Sequence, residues 1–250
     1  RLDSLVLSVA DTLAVVPAGG ALAVDRLRFA QGVTERLEQH PLVTIHREEV
    51  SAIPDEGVVI LCTGPLTSDA LAAAISDFAG EDFLSFYDAM APIVNAETID
   101  LQVAFRASRY GRGVRDDGDY LNCPMNRDQF NAFVDALTRA EPVDLHDFEK
   151  NDRHFFEACL PLEELARRNP RGLLFGPFSP VGLEDPRSGT RPYAVVQLRQ
   201  DDAAASLYNI VGAQTNLKWG EQEQVFRKVP GLQSVEFVRL GQMHRNTFIN

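Results

Sequence analysis

The sequence has 250 residues, of which 45% are hydrophobic and 24% charged, as in ordinary globular proteins, and its net charge is −12. No apolar run approaches the ~18 residues that cross a bilayer, and the three cysteines fit neither a paired disulfide framework nor a zinc-binding spacing. We therefore expect a reduced, cytoplasmic protein without a membrane segment or a metal, and the acidic charge counts against nonspecific nucleic-acid binding.

The first predicted elements are those of an α/β domain. Apolar residues at helical spacing predict a helix over residues 25–40. Short β-branched or apolar runs then predict strands at 43–46 and 58–62. A further helix is predicted from Ser68 to Phe78, with Ser68 as its N-cap.

The turn Thr63-Gly64-Pro65 joins the strand at 58–62 to this helix. A strand that leads through a glycine-containing turn into a helix is how α/β nucleotide-binding domains present backbone N–H groups to a ligand. The same three residues also fit a plain connection between a strand and a helix, so both interpretations stay open.

The second half of the chain alternates loops with short elements. Residues 100–118 are rich in Arg and Gly and predict a loop that acts as a linker. Beyond it, the sequence pattern predicts a strand and a helix over 121–137, a strand and a helix over 155–168, strands at 193–199 and 207–211 that form a hairpin, a helix at 222–228 and a strand at 235–239.

Two groups of arginines interrupt the acidic sequence. Arg106, Arg109, Arg112 and Arg115 form one group, and the other, around Cys159, comprises Arg153, Arg167, Arg168 and Arg171. A local basic face can exist on an acidic protein. The alternative is that these side chains are solvated or paired with carboxylates.

Cys159 is the cysteine best placed to be reactive. It lies two residues before Pro161, near the start of a predicted helix, with basic side chains close to it in sequence. Both features lower the pKa of a thiol. The alternative is a buried core cysteine. We interpret Cys123 as structural, because no basic residue lies within the three positions before it, and Cys62 as a packing residue at the end of a buried strand.

The triplet His244-Arg245-Asn246 follows a predicted strand and is interpreted as a polar turn. Imidazole, guanidinium and amide groups in a row can hold a planar heterocycle, although a capped turn is the alternative. Lys218 and Trp219 could contact RNA through charge and stacking, but a lone Trp is more often part of a core.

Eight blocks of the sequence resemble, in order, the FAD-dependent methylenetetrahydrofolate–tRNA-(uracil-5-)-methyltransferases. They cover essentially the whole chain and comprise residues 17–26, 63–68, 86–94, 120–125, 156–161, 175–177, 192–199 and 243–249.

The resemblance implies an α/β fold, namely part of an FAD-binding Rossmann-like domain with an inserted α+β domain. It divides the chain into residues 1–110 as the remainder of the FAD-binding domain, 111–230 as the inserted tRNA or substrate domain, and 231–250 as the return towards the FAD-binding domain. Because family members begin with a Gly-rich FAD loop and continue beyond the last block, the chain is expected to be a fragment of the enzyme.

The resemblance also implies a function, which is methylation of a T-loop uridine of tRNA at C5 with FAD, methylenetetrahydrofolate and NAD(P)H. It makes Cys159 the catalytic nucleophile, and it places Thr63, Gly64 and Pro65 at FAD and His244, Arg245 and Asn246 at the flavin and folate. The candidate RNA contacts are Arg153, Arg167, Arg168 and Lys218. A non-catalytic RNA-binding fragment and another flavin-dependent oxidoreductase of the same superfamily are the alternatives.

Overall fold

A computed structural model of the protein describes residues 3–64, 67–80, 84–143 and 160–248, with the backbone alone for 84–89 and 243–248. The α-helices are α1 (Leu5–Val9), α2 (Arg26–Glu38), α3 (Asp69–Ala79), α4 (Arg127–Arg139), α5 (Leu162–Arg168) and α6 (Trp219–Phe226). The strands are β1 (Val15–Val16), β2 (Ala23–Val24), β3 (Leu84–Ala89), β4 (Ile93–Asn95), β5 (Phe105–Ala107), β6 (Tyr120–Met125), β7 (Ala194–Gln200), β8 (Leu207–Ile210), β9 (Phe237–Arg239) and β10 (Met243–Phe248).

The main sheet has six strands in the order β5-β6-β7-β8-β4-β9, and its neighbours pair antiparallel. Its register aligns Leu121 with Leu198 and Leu198 with Ile210. Because opposite residues of a ladder share a face, these three leave one apolar face, on which the core is built. The predicted hairpin of 193–199 and 207–211 is confirmed as β7 and β8.

Helix α4 packs on this core as its sequence predicts. Phe130, Phe133, Val134 and Leu137 are buried, and an Asn126–Gln129 capping box closes its N-terminus. The Phe133 ring contacts the rings of Phe178 and Phe226, with centroids 5.6 and 6.2 Å away. The predicted helices at 25–40 and 68–78 are also confirmed, as α2 and α3.

The predicted strands at 43–46 and 58–62 are wrong, because residues 41–62 contain neither strand nor helix. Val58 is 97% exposed and Ile60 is 80% exposed. An apolar run forms a strand only where another strand pairs with it, and within the described residues nothing pairs with either run. Cys62 is accordingly exposed and not a packing residue.

Two further predictions are corrected by strand pairing. The predicted loop at 100–118 contains β5, which pairs with β6 at the edge of the sheet. The triplet His244-Arg245-Asn246 lies in β10 and not in a turn. Its backbone pairs antiparallel with Asp88, Tyr87 and Phe86 of β3, in that order.

The six-stranded sheet takes strands from each of the three predicted ranges, 1–110, 111–230 and 231–250. The division of the chain at these positions remains a prediction. The N-terminal part is tied to the sheet through Asp119, which accepts hydrogen bonds from the backbone N–H groups of Gly19 (2.6 Å) and Arg115 (2.9 Å). Asp119 accepts a third hydrogen bond from the backbone N–H of Val114 (3.0 Å).

Replacing Asp119 with alanine is expected to lower the free energy of unfolding by about 2–4 kcal/mol, because three part-buried backbone N–H groups lose the buried carboxylate that accepts from them. Urea unfolding checks this, with Asp135→Ala as the matched control. Asp135→Ala also removes a carboxylate, but this one forms an exposed ion pair with Arg139. Its loss should lower the free energy of unfolding by about 0.5 kcal/mol or less. Equal costs for the two variants would contradict the expectation.

Candidate active site

One segment, residues 214–222 between β8 and the first turn of α6, holds several distant parts of the chain together, and we call it the anchor segment. The backbone N–H of Leu162 donates to the carbonyl of Gln214 (2.7 Å). The backbone N–H of Val143 donates to the carbonyl of Asn216 (2.7 Å). The anchor segment therefore fixes the chain on both sides of residues 144–159.

Glu163 makes another contact with the anchor segment, and its side chain lies inside the fold with only 2% of the residue exposed. One carboxylate oxygen accepts from the Thr215 hydroxyl (2.8 Å) and the other from the Asn216 backbone N–H (2.8 Å). Burial raises the pKa of Glu163 above its usual range, and these hydrogen bonds together with the charge of Arg167 offset the effect only in part.

Cys159 and Arg153 lie outside the described residues. The residue that follows Cys159 in the chain, Leu160, is buried, and so are Pro161 and Leu162. Cys159 is thus joined directly to a segment that is packed and hydrogen-bonded to the anchor segment. That connection is the structural observation that bears on its predicted role.

The anchor segment also holds the base of the two-stranded ribbon formed by β3 and β10. The Gln222 side chain donates to the carbonyl of Gly241 (2.9 Å) and accepts from its N–H (2.7 Å). A Cβ on Gly241 would lie 2.6 Å from Thr215 Cγ2 and 2.7 Å from the Met90 carbonyl oxygen, so only glycine fits. His244 follows three residues later, so the strand that contains it begins close to the anchor segment, which also holds Leu162, three residues after Cys159 in the chain.

The Thr63–Gly64 turn lies before α3, whose N-terminus is capped by Ser68. The hydroxyls of Thr63 and Thr67 are 2.6 Å apart, and Thr67 also donates to the Gly64 carbonyl (3.0 Å). Within the described part of the chain these hydrogen bonds are local, and none reaches the anchor segment. Pro65 lies outside the described residues.

Three of the predicted RNA contacts, Arg167, Arg168 and Lys218, make hydrogen bonds or ion pairs within the protein. Arg167 donates to the carbonyls of Thr138 (3.3 Å) and Ala140 (3.2 Å) at the end of α4. Arg168 pairs with Glu164 (2.9 Å), and Lys218 pairs with Glu141 (2.8 Å). The latter two pairs are exposed, so they contribute little stability and leave both cations accessible to a phosphate.

Cys123 is fully buried, and burial raises the pKa of its thiol to about 12. A thiol with that pKa stays protonated at neutral pH and is a poor nucleophile. The prediction that Cys123 is structural agrees with this. Among the described residues no cluster of His, Cys, Asp or Glu could hold a metal ion. In the same residues no helix is long and apolar enough to span a membrane.

Sequence reasoning missed Glu163, Thr215 and Gln222. Glu163 looks like an ordinary acidic residue in the first turn of a helix, where carboxylates are common. Its partners lie 52 and 53 residues away, so nothing local marks it. These residues hold α5 and Gly241 to the anchor segment, and only the tertiary contacts reveal them.

Known proteins match this chain along its whole length. A family model described as "Glucose inhibited division protein A" matches residues 1–250. The methylenetetrahydrofolate–tRNA-(uracil-5-)-methyltransferase TrmFO of Synechococcus sp. (strain JA-3-3Ab) is 59% identical over 250 residues, which are 100% of this chain and 54% of that protein. The protein of the same name from Enterococcus faecalis is 56% identical over 100% of this chain and 56% of its own length.

The chain thus spans about half the length of the curated relatives it matches. Two crystal forms of Aquifex aeolicus GidA share its fold. Form I has a TM-score of 0.65 at 14% identity, covering 97% of this chain and 47% of that one. Form II has a TM-score of 0.59 at 12% identity, covering 97% and 45%. At these identities the likeness concerns the fold alone.

Proposed function

Because this chain belongs to the glucose inhibited division protein A family, we propose that the whole protein methylates C5 of a T-loop uridine in tRNA. The names of its 56–59% identical relatives give the one-carbon donor as methylenetetrahydrofolate and the target as uracil C5 of tRNA. The proposal adds reduced FAD as the source of the hydride, NAD(P)H as the reductant of the flavin, and a cytoplasmic location.

The structural observation that carries the proposal is the anchor segment. It fixes Leu162 and Glu163, just after Cys159, and through Gln222 it fixes Gly241, just before the strand that contains His244-Arg245-Asn246. The two segments to which the family resemblance assigns the nucleophile and the ring-binding groups are therefore each joined to residues held by the anchor segment. Catalysis between two reactants needs such fixed relative placement.

Cys159 has a defined chemical task in this reaction. Uracil C5 is a weak nucleophile, and addition of a thiolate at C6 converts the ring to an enolate whose C5 attacks the one-carbon donor. Loss of the C5 proton, release of tetrahydrofolate and addition of a hydride to the transferred carbon would complete the methyl group, and departure of the thiolate from C6 would restore the ring. The donor and reduced flavin supply carbon and hydride when they are bound, whereas the chain supplies the thiolate and its position.

The described residues fit one part of an FAD site. Gly64 adopts a positive φ of 64°, and a Cβ built on it would meet no atom within 4 Å, so the backbone there is open to close approach by a ligand. We propose that Thr63, Gly64 and Pro65 line the dinucleotide, with residues 1–110 and 231–250 on the FAD side and 111–230 as the inserted domain. Both strands of the β3–β10 ribbon then fall within the ranges on the FAD side.

The RNA contacts proposed at Arg153, Arg168 and Lys218 rest on their positive charges. Arg153 and Arg168 lie near Cys159 in the sequence, and Lys218 lies in the anchor segment. Arg167 fits this role less well, because its guanidinium already donates to two carbonyls. We propose that Arg167 reaches a phosphate only with its remaining donors, while its main effect is to hold α5 against α4.

The function is tested with the full-length protein and an unmodified tRNA transcript. A yellow, FAD-loaded protein should form 5-methyluridine only when methylenetetrahydrofolate and NAD(P)H are both present. A colourless protein that still binds tRNA would favour a non-catalytic RNA-binding role. A yellow protein without salt-sensitive tRNA binding would favour a flavin oxidoreductase acting on a small molecule.

Replacing His244 with alanine should weaken the use of methylenetetrahydrofolate more than the binding of tRNA. The proposed reason is that the imidazole contacts a flat ring of the folate or flavin. The KM for the folate and the Kd for tRNA are compared with those of Thr247→Ala, a variant in the same strand. An unchanged folate KM with weakened tRNA binding would show that this strand faces RNA instead.

A further inference from the structure

A groove lined by arginines runs along one side of α4. Two adjoining cavities of about 490 and 300 Å³ share Arg127 and Tyr193 and so form one continuous surface. Arg191 lines the first cavity, and Arg171 lines the second. We call this surface, defined by Arg127, Arg171, Arg191 and Tyr193, the α4 groove.

The α4 groove carries a positive charge on a protein whose net charge is −12. Arg127, Arg171 and Arg191 are all exposed, and among the described residues none has a carboxylate within ion-pair distance. The two acidic side chains of the groove are already neutralised. Asp135 pairs with Arg139 at 3.0 Å, and Asp185 pairs with Arg187 at 2.7 Å.

Tyr193 adds a fixed aromatic surface at the junction of the two cavities. Its ring packs edge-on against Phe130, with centroids 5.6 Å apart and an interplanar angle of 64°. Its backbone N–H donates to the carbonyl of Met125 (3.2 Å), and 37% of the residue is exposed. A held but partly exposed ring among cations is the arrangement that stacks bases in single-stranded nucleic-acid sites.

The α4 groove leads from Tyr193 towards α5, the helix that follows Cys159 in the chain. Arg127 and Thr138 both line it, and because they are eleven positions apart on α4, they are about 16 Å apart along the helix axis. At the far end, the Thr138 carbonyl accepts a hydrogen bond from Arg167 of α5. Helix α5 begins three residues after Cys159, so the groove ends beside the helix that supports the proposed nucleophile.

We propose that the α4 groove binds a looped strand of RNA, with phosphates on Arg127, Arg171 and Arg191 and one base stacked on Tyr193. The proposal rests on the proposed function and names the surface that receives its substrate. An open strip of cations fits repeated phosphates better than it fits one small anion, which would need an enclosed subsite. An acidic peptide would leave the exposed ring of Tyr193 without a flat partner.

The test uses the full-length protein and the salt dependence of tRNA binding. The triple variant R127A/R171A/R191A should weaken the Kd by about tenfold or more and reduce the slope of log K against log[salt] by about 2, the value for three lost contacts to a single strand. The triple variant R36A/R47A/K228A removes the same charge outside the groove. It should change neither quantity by more than about twofold.

Tyr193 gives an independent measurement. Tyr193→Phe keeps the ring and should bind tRNA within about twofold of wild type, whereas Tyr193→Leu should bind at least about fivefold more weakly. FAD absorbance and thermal unfolding show that each variant is folded. If the triple groove variant unfolds, the three single arginine variants and the Tyr193 pair decide the question by the same criteria.

Two failures can be told apart. If the wild type binds and methylates tRNA and the folded groove variants bind it equally well, the groove proposal is overturned and the proposed function stands. If the wild type binds tRNA through the groove but forms no 5-methyluridine, the proposed function fails and the groove proposal stands. If the wild type does neither, both fail.

Discussion

Full-length protein with Cys159 replaced by alanine is expected to form 5-methyluridine at less than about a tenth of the wild-type rate while keeping its FAD absorbance. Alanine has no group that can add to uracil C6, so the enolate that activates C5 does not form. The flavin is expected to stay bound because its proposed contacts lie elsewhere, at the Thr63–Gly64 turn and β10. Methyl transfer is measured with saturating folate and tRNA, so that a binding defect is not mistaken for a chemical one.

The other two cysteines provide matched controls. Cys62 is exposed, with no packing to lose, and Cys62→Ala should leave the rate unchanged. Cys123 is buried with a pKa of about 12, so Cys123→Ala should lower stability by about 1 kcal/mol without removing activity. Methylation by Cys159→Ala above a tenth of wild type would exclude it as the nucleophile, and loss of activity in Cys123→Ala at unchanged stability would point to Cys123 instead.

Replacing Glu163 with alanine is expected to lower the free energy of unfolding by about 2–4 kcal/mol, because the part-buried Asn216 N–H and the proton of the buried Thr215 hydroxyl would both lose their charged acceptor. Glu163→Gln keeps an oxygen for the Asn216 N–H and an amide that can donate to Thr215. It should therefore cost about 1 kcal/mol or less. Glu164→Ala, which removes only an exposed ion pair with Arg168, is the matched control.

The two Glu163 variants also distinguish a role in positioning the catalytic residue from a role in the stability of the fold alone. If Glu163 positions the Cys159-bearing segment, Glu163→Ala should lower kcat more than it raises the KM for tRNA, and Glu163→Gln should restore most of kcat. A Glu163→Ala protein that is destabilised but has wild-type kcat would show that Glu163 serves the fold alone.

The pH dependence of stability gives a further check with a defined sign. The pKa of Glu163 is raised in the folded protein, so between the unfolded value near 4.5 and the folded value the folded state binds more protons than the unfolded state. Stability contributed by this group is therefore complete below the unfolded pKa and is lost as the pH rises through the folded pKa. Relative to wild type, Glu163→Gln should gain stability between pH 4 and pH 7, and a constant difference would contradict the assignment.

The sequence alone determined the elements whose signals are local. Ser68 accepts a hydrogen bond from the backbone N–H of Leu71, three residues later, so the start of α3 was predicted from a local signal. The apolar face of α4 and the hairpin of β7 and β8 follow from periodicities within a few residues. The ordered blocks of sequence likewise indicated the family, which the comparisons confirm.

The tertiary structure decided everything that depends on a distant partner. The apolar runs at 43–46 and 58–62 have the composition of strands but none to pair with among the described residues, whereas residues 243–248 become a strand because β3 aligns with them. Glu163 could not be distinguished from Glu164 by sequence, yet one is buried on Thr215 and the other forms a surface ion pair. The sequence also did not show that Arg127 is exposed without a carboxylate partner among the described residues, or that Arg167 donates hydrogen bonds to two backbone carbonyls. Pairing and burial depend on which segments meet in space, and that is fixed by the packing of the whole chain rather than by the residues next in sequence.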